Sequence, residues 1–205
     1  MGMPVLIYGK SGSGKSRSLK NFGEDEIFLV NVERKFLPFR KKFKYVLKSD
    51  NVNLIKNQLL KMPTKTAVID DAGYILTNRY MREKGQVKNA FETYDNIGND
   101  FWGLFEFIKT DLPDDVIVYV IMHEETDDFN NTKLKMMGKL LEQKVCVEGM
   151  VTISLRCITD DTGHHFVTNS NGNDISKSPE EMFESLYIDN DLKAVDTAIR
   201  EYYEM

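Results

Sequence analysis

Short apolar runs alternate along the chain with stretches whose apolar residues recur at helical spacing. Pro4 to Tyr8 is the first apolar run, and the polar, glycine-rich segment Gly9 to Ser16 follows it. This predicts a strand, a loop and then a helix from about Lys15 to Asn21. Ile27 to Val32 predicts a second strand that ends at Glu33. Val52, Ile55, Leu59 and Met62 share one helical face, and Pro63, which cannot continue a helix, closes it. Thr66 to Ile69 predicts a third strand, ending in Asp70 and Asp71. Helices are predicted near Tyr74 to Glu83 and Asp100 to Thr110, and Val116 to Met122 gives a fourth strand ending at His123. Glu124 to Asn131 reads as a polar loop, Lys135 to Lys144 as a helix and Val151 to Ile158 as a fifth strand. Thr162-Gly163 turns into a short strand, His164 to Thr168. Ser178-Pro179-Glu180-Glu181 combines a capping box with proline at the first helical position, so a helix is predicted to start there. Asn190 is predicted to cap a last helix with Leu192, Val195, Ile199 and Tyr202 on one face.

Strands alternating with helices predict an α/β fold, a three-layer α/β/α arrangement around a mainly parallel central sheet. The 205 residues suit one domain with a sizeable core. No linker, repeat or low-complexity stretch divides them, so the expectation is a core over about 1–160 and a hairpin with helices over about 161–205. A formal net charge of −5 excludes a uniformly basic surface, and any nucleic-acid contact must be a local patch. Cys146 and Cys157 form no CxxC pair and are expected to be buried free thiols. His164 and His165 have no further ligand residues nearby, and no metal site is expected there. No apolar run reaches transmembrane length and the amino terminus enters a strand at once. A cytoplasmic protein without a signal peptide or a membrane partner is therefore expected.

The chemistry starts at Gly9 to Ser16, which matches G-x-x-x-x-G-K-[ST] completely. Gly9, Lys10, Ser11, Gly12, Ser13 and Gly14 can curl so that successive N–H groups point at phosphate oxygens. Lys15 reaches the β- and γ-phosphates and the Ser16 hydroxyl ligates Mg²⁺. Arg17 lies in the first turn of a helix whose positive end faces the same anion. The motif predicts ATP and Mg²⁺ as ligands. Asp70, delivered to the carboxyl end of the sheet, is the expected holder of the magnesium shell, with Asp71 supporting it or orienting the attacking water. Glu33 and His123 also follow apolar strands and project toward the same edge. A carboxylate there orients or deprotonates water, and a polar group on a strand between the P-loop and Asp70 strands senses the γ-phosphate. On the residues alone, Glu33 and Asp71 both stay open as the water-activating group.

The order P-loop, Glu33, Asp70, His123 resembles the RecA-like ATPase core. It is similar, more specifically, to compact phage-encoded RecA-like nucleotide-binding proteins, of AAA type, from the single-strand annealing and recombination group. Lys133 to Lys144, Val151 to Ile158, Tyr187 to Leu192 and Ile199 to Tyr203 extend the resemblance over nearly the whole chain. The resemblance implies a RecA-like P-loop NTPase fold and ATP hydrolysis with Glu33 as the catalytic carboxylate. It also implies a role in phage recombination or replication in the host cytoplasm, beside a single-strand DNA-binding protein. In RecA-like assemblies a neighbouring subunit supplies a cation to the γ-phosphate, so a homo-oligomer is expected, with Lys135 and Lys139 as candidates for that cation. Counterparts of the extra domains and DNA-binding loops of full-length RecA are not found.

Arg34 to Lys48 holds seven cations and no acid: Arg34, Lys35, Arg40, Lys41, Lys42, Lys44 and Lys48, interleaved with Phe36, Phe39, Phe43 and Tyr45. Cations track a phosphate backbone and rings stack on bases, so Arg40, Lys41, Lys42 and Lys44 are candidate contacts to single-stranded DNA. The alternative is a solvated face whose aromatics pack inward. Two other functions compete with a DNA-acting ATPase: a nucleotide or small-molecule kinase, and a non-enzymatic ATP-dependent adaptor.

Overall fold

Nine strands form one sheet in the computed structural model, which describes residues 1–85, 90–138 and 145–205. They are β1 (Met3–Gly9), β2 (Ile27–Asn31), β3 (Tyr45–Leu47), β4 (Thr66–Asp70), β5 (Ile117–Thr126), β6 (Thr132–Leu134), β7 (Ile153–Asp160), β8 (Gly163–Val167) and β9 (Tyr187–Asp189). Their order is β3-β2-β4-β5-β1-β7-β8-β9, with β6 paired to β5. From β3 to β7 all neighbours are parallel, while β6, β8 and β9 add antiparallel pairs.

Both faces of the parallel strands are apolar because both are covered. Leu6 and Tyr8 of β1 and Val118 and Val120 of β5 pack under α1 (Val52–Leu59), α2 (Gly73–Glu83) and α3 (Ala90–Asp111). Val5 and Ile7, with Tyr119 and Ile121, point the other way, toward Leu19 and α4 (Leu192–Tyr203). This is the expected α/β architecture of a P-loop NTPase, with a mostly parallel central sheet. Register then aligns the strand ends that matter: Gly9 lies opposite both His123 and Cys157, and Asn31 lies opposite Asp70.

Several local expectations are corrected. The segment after the glycine loop is a 3-10 helix, Ser16–Asn21. The Ser18 N–H is shared between the carbonyls of Gly14 (3.0 Å) and Lys15 (3.3 Å), and the chain leaves helical geometry at Phe22, whose ring is buried. β5 runs three residues past His123, because Glu124 to Thr126 pair with β6 instead of forming a loop. α3 begins well before Asp100; Asp95, Gly98 and Asn99 obscured that helical stretch in the sequence because they are weak helix formers. No helix starts at Ser178. Asn169 donates to its hydroxyl, and Glu181 adopts a left-handed φ of 61°. The last helix is capped by Asp191, one residue later than expected, its carboxylate accepting from the N–H groups of Lys193 and Ala194. Cys157 is buried, but Cys146 is exposed. Lys135 to Gly138 is not helical, and the rest of the helix expected there lies outside the described residues. Among the described residues no helix is long and apolar enough to cross a membrane.

Candidate functional site

The loop after β1 is shaped by what it packs against. Gly9 meets β7 so closely that a Cβ would stand 2.4 Å from the Cys157 carbonyl oxygen. Gly12 and Gly14 take φ of 80° and 101°, conformations that a side chain disfavours. The Ser13 carbonyl accepts from the Cys157 thiol and from His164 Nδ1, both at 2.9 Å. Burial raises that thiol to about 11, so it serves as a neutral donor. Arg17 donates to Asn190 Oδ1 at 3.2 Å, which ties the start of the 3-10 helix to the turn before α4. His164, Asn190 and Cys157 were not legible as loop supports, because only the pairing of β1, β7 and β8 brings them beside residues 9–17.

Lys15 is buried, and its ammonium donates to the carbonyls of Gly9 (2.8 Å) and Lys10 (2.6 Å). It also stands 3.4 Å from His123 Nδ1, while His123 Nε2 stands 3.2 Å from Asp71 Oδ1. An ammonium can only donate and a carboxylate can only accept, so a neutral imidazole with its proton on Nε2 satisfies both contacts. Lys35 closes this chain of polar groups, its Nζ lying 2.8 Å from Asp71 Oδ2. Burial lowers the Lys15 ammonium from its ordinary value, opposed by nearby groups that include Asp71 and Asp70.

Ser16 Oγ stands 3.0 Å from each carboxylate oxygen of Asp70. Burial first, and then the charge of Asp71, raise the Asp70 carboxyl to about 6. Burial pushes Asp71 the same way, but hydrogen bonds from His123 and Lys35 win and hold it at about 2. A buried carboxylate destabilised by a second carboxylate, beside a hydroxyl oxygen, is the donor set that a hard divalent cation selects. Ser16 and Asp70 therefore fit Mg²⁺.

A cavity of about 310 Å³ is lined by Ser11, Gly12, Gly14, Lys15, Ser16, Arg17, Lys35, Asp71 and His123, together with Pro38 and His164. β5 lies between β1 and β4, so His123 does sit between the P-loop strand and the Asp70 strand. Glu33 does not line this cavity; its carboxylate accepts from Asn78 of α2 at 2.8 Å. Lys135 lines a neighbouring cavity of about 430 Å³ with Lys35, Tyr74 and His123. Lys139 lies outside the described residues.

The basic segment divides. Arg40, Lys42 and Lys44 are exposed, whereas Lys41 donates to the carbonyls of Lys20 and Phe22. Phe43 is buried and Phe39 packs against the same core, leaving Phe36 fully exposed.

Compared with known proteins, residues 1–177 match the model of a family described as AAA domain. That span holds the loop, Glu33, both aspartates and His123, and ends before Asn190 and α4. No curated protein matches the chain.

Proposed function

Because the chain belongs to the AAA domain family, we propose that it binds ATP with Mg²⁺ at residues 9–16 and hydrolyses it. The observation that carries this reading is the convergence of Lys15, Ser16 and the His123–Asp71 pair on one cavity at the carboxyl edge of the sheet, with Asp70 bonded to Ser16. The loop amides and Lys15 bind the β- and γ-phosphates. Ser16 and Asp70 would hold Mg²⁺, whose charge would offset that of the phosphates. His123 senses the γ-phosphate from between the two. Asp71 is the carboxylate on the cavity wall, and at about 2 it stays ionised, which suits orienting a water better than taking its proton. Glu33, held by Asn78, is favoured less for that role.

We extend this to a homo-oligomer acting on single-stranded DNA in phage recombination or replication. Exposed Arg40, Lys42 and Lys44, with the exposed ring of Phe36 in the same segment of chain, support it. Phosphate release, measured with and without single-stranded DNA, tests both parts. The expected result is Mg²⁺-dependent turnover, lost in Lys15→Ala and raised by DNA. Turnover that ignores DNA, with no DNA binding at low salt, removes the DNA role. ATP binding without turnover favours the adaptor, and transfer to a nucleoside monophosphate favours the kinase.

A further inference from the structure

Lys35 follows β2 in an exposed segment, yet it is held at three points. The side chain of Asn31, itself buried, grips its backbone on both sides: Asn31 Nδ2 donates to the Lys35 carbonyl at 2.7 Å, and the Lys35 N–H donates to Asn31 Oδ1 at 3.1 Å. Its stem places Nζ 5.0 Å from the Tyr74 ring centroid. Its ammonium meets Asp71 at 2.8 Å. Two residues in left-handed conformation frame this contact, Arg34 at φ 57° and Asp71 at φ 61°, and neither is glycine. A left-handed backbone is disfavoured for a residue with a side chain, so the turn after β2 and the turn after β4 are both bent at some expense. An ordinary exposed ion pair contributes too little to offset that.

The position explains the expense. Ser11, Lys35 and His123 line both the phosphate cavity and its 430 Å³ neighbour, so they form the wall between them. Asp71 lines the phosphate cavity beside that wall and contacts two of its members, Lys35 and His123. Lys15 is held on the loop carbonyls of Gly9 and Lys10, and Arg17, which also lines the cavity, is tied to Asn190. Lys35 is the cation of that lining on the Asp71 side, fixed there by Asn31 and by Asp71 itself.

We propose that Lys35 is a γ-phosphate contact supplied in cis, which makes the site prefer ATP over ADP. The proposal rests on the ATP-binding reading above and deepens it by adding Lys35 to Lys15 and His123 as a group that meets the third phosphate. It also changes what a neighbouring subunit must provide, since one positive charge is already present without it.

The test is calorimetric titration of the full chain with ATP and with ADP at fixed Mg²⁺, comparing the unaltered protein with Lys35→Gln, Lys35→Ala and Lys35→Arg. Lys35→Gln keeps most of the stem over Tyr74 and removes only the charge, and thermal melting checks that each variant is folded. Losing a charge-assisted contact should weaken ATP by about tenfold and ADP by less than about twofold, in both Gln and Ala variants. Lys35→Arg should keep most of the preference. An unchanged ATP-to-ADP ratio in folded Lys35→Gln overturns the proposal and leaves the phosphate site standing. Failure of the unaltered protein to bind either nucleotide overturns both.

Discussion

Ser16 and Asp70 face each other across 54 residues of chain, the hydroxyl oxygen 3.0 Å from both carboxylate oxygens. Two hard oxygen donors are thereby set side by side at the ends of β4 and the glycine loop. The relationship joins the two halves of the proposed magnesium site before any nucleotide is considered.

The first prediction concerns the charge of Asp70. Its carboxyl is raised from 3.8 to about 6 by burial and by Asp71. The folded chain therefore binds more protons than the unfolded chain between those values, and stability falls as pH rises through that window. Above it the full cost of the buried charge is present. Asp70→Asn should raise the melting temperature of the nucleotide-free protein at neutral pH by a few degrees, on the order of 1 kcal/mol. The same variant should lose the dependence of nucleotide binding on Mg²⁺. Differential scanning calorimetry and a magnesium titration check the two halves.

Asp71 should behave in the opposite sense. Its folded value of about 2 lies below 3.8, so its contribution is present above the unfolded value and is lost as pH falls toward 2. Asparagine tolerates the left-handed φ of 61° that this position needs, so Asp71→Asn removes charge without adding backbone strain. A loss of about 1 kcal/mol at neutral pH is expected from urea unfolding. Equal shifts for Asp70→Asn and Asp71→Asn would contradict the opposed environments.

Much of this was legible in the residues. The glycine loop announces itself because each position has its own steric or electrostatic task, and Asp70 follows Thr66 and three apolar residues that together read as a buried strand. The order of strands was less accessible. Nothing local says that β5 inserts between β1 and β4, or that β8 brings His164 against the Ser13 carbonyl. The failed helix at Ser178 shows the same limit from the other side. Its capping residues are correct in type, but Asn169 bonds both the hydroxyl and the N–H of Ser178, and Glu181 turns into a left-handed conformation. Glu33 was readable as a strand-end acid and not as a partner of Asn78, because α2 supplies that partner from 45 residues away.

Gly14 gives a third prediction. A Cβ there would lie 2.7 Å from His164 Nδ1, on a backbone at φ 101°. Gly14→Ala should cost about 1–3 kcal/mol and disturb the loop together with its His164 support. His164→Ala should relieve the clash and not the backbone strain. Partial recovery of stability in the double variant, measured by thermal melting, is the expected outcome.

The ion pair between Glu124 of β5 and Arg156 of β7 gives a fourth. Arg156 donates Nε and a terminal nitrogen to the two oxygens of Glu124, both at 2.8 Å, and the Glu124 side chain is 2% exposed. Glu124→Ala leaves the guanidinium short of its main partner and should cost about 3 kcal/mol. Replacing both residues together, as Glu124→Leu with Arg156→Met, should cost much less than the sum of the single changes. A double-mutant cycle by urea unfolding would show additivity if the pair were unimportant.

The most direct measurement is a calorimetric titration of the unaltered protein with ATP, in millimolar Mg²⁺ and again in chelator. Saturable binding at one site, weakened when Mg²⁺ is removed and competed by inorganic triphosphate, is the predicted result. No detectable heat or saturation with ATP at millimolar Mg²⁺, from protein that melts as a folded domain, would contradict the assignment of residues 9–16 and Asp70 as a nucleotide site.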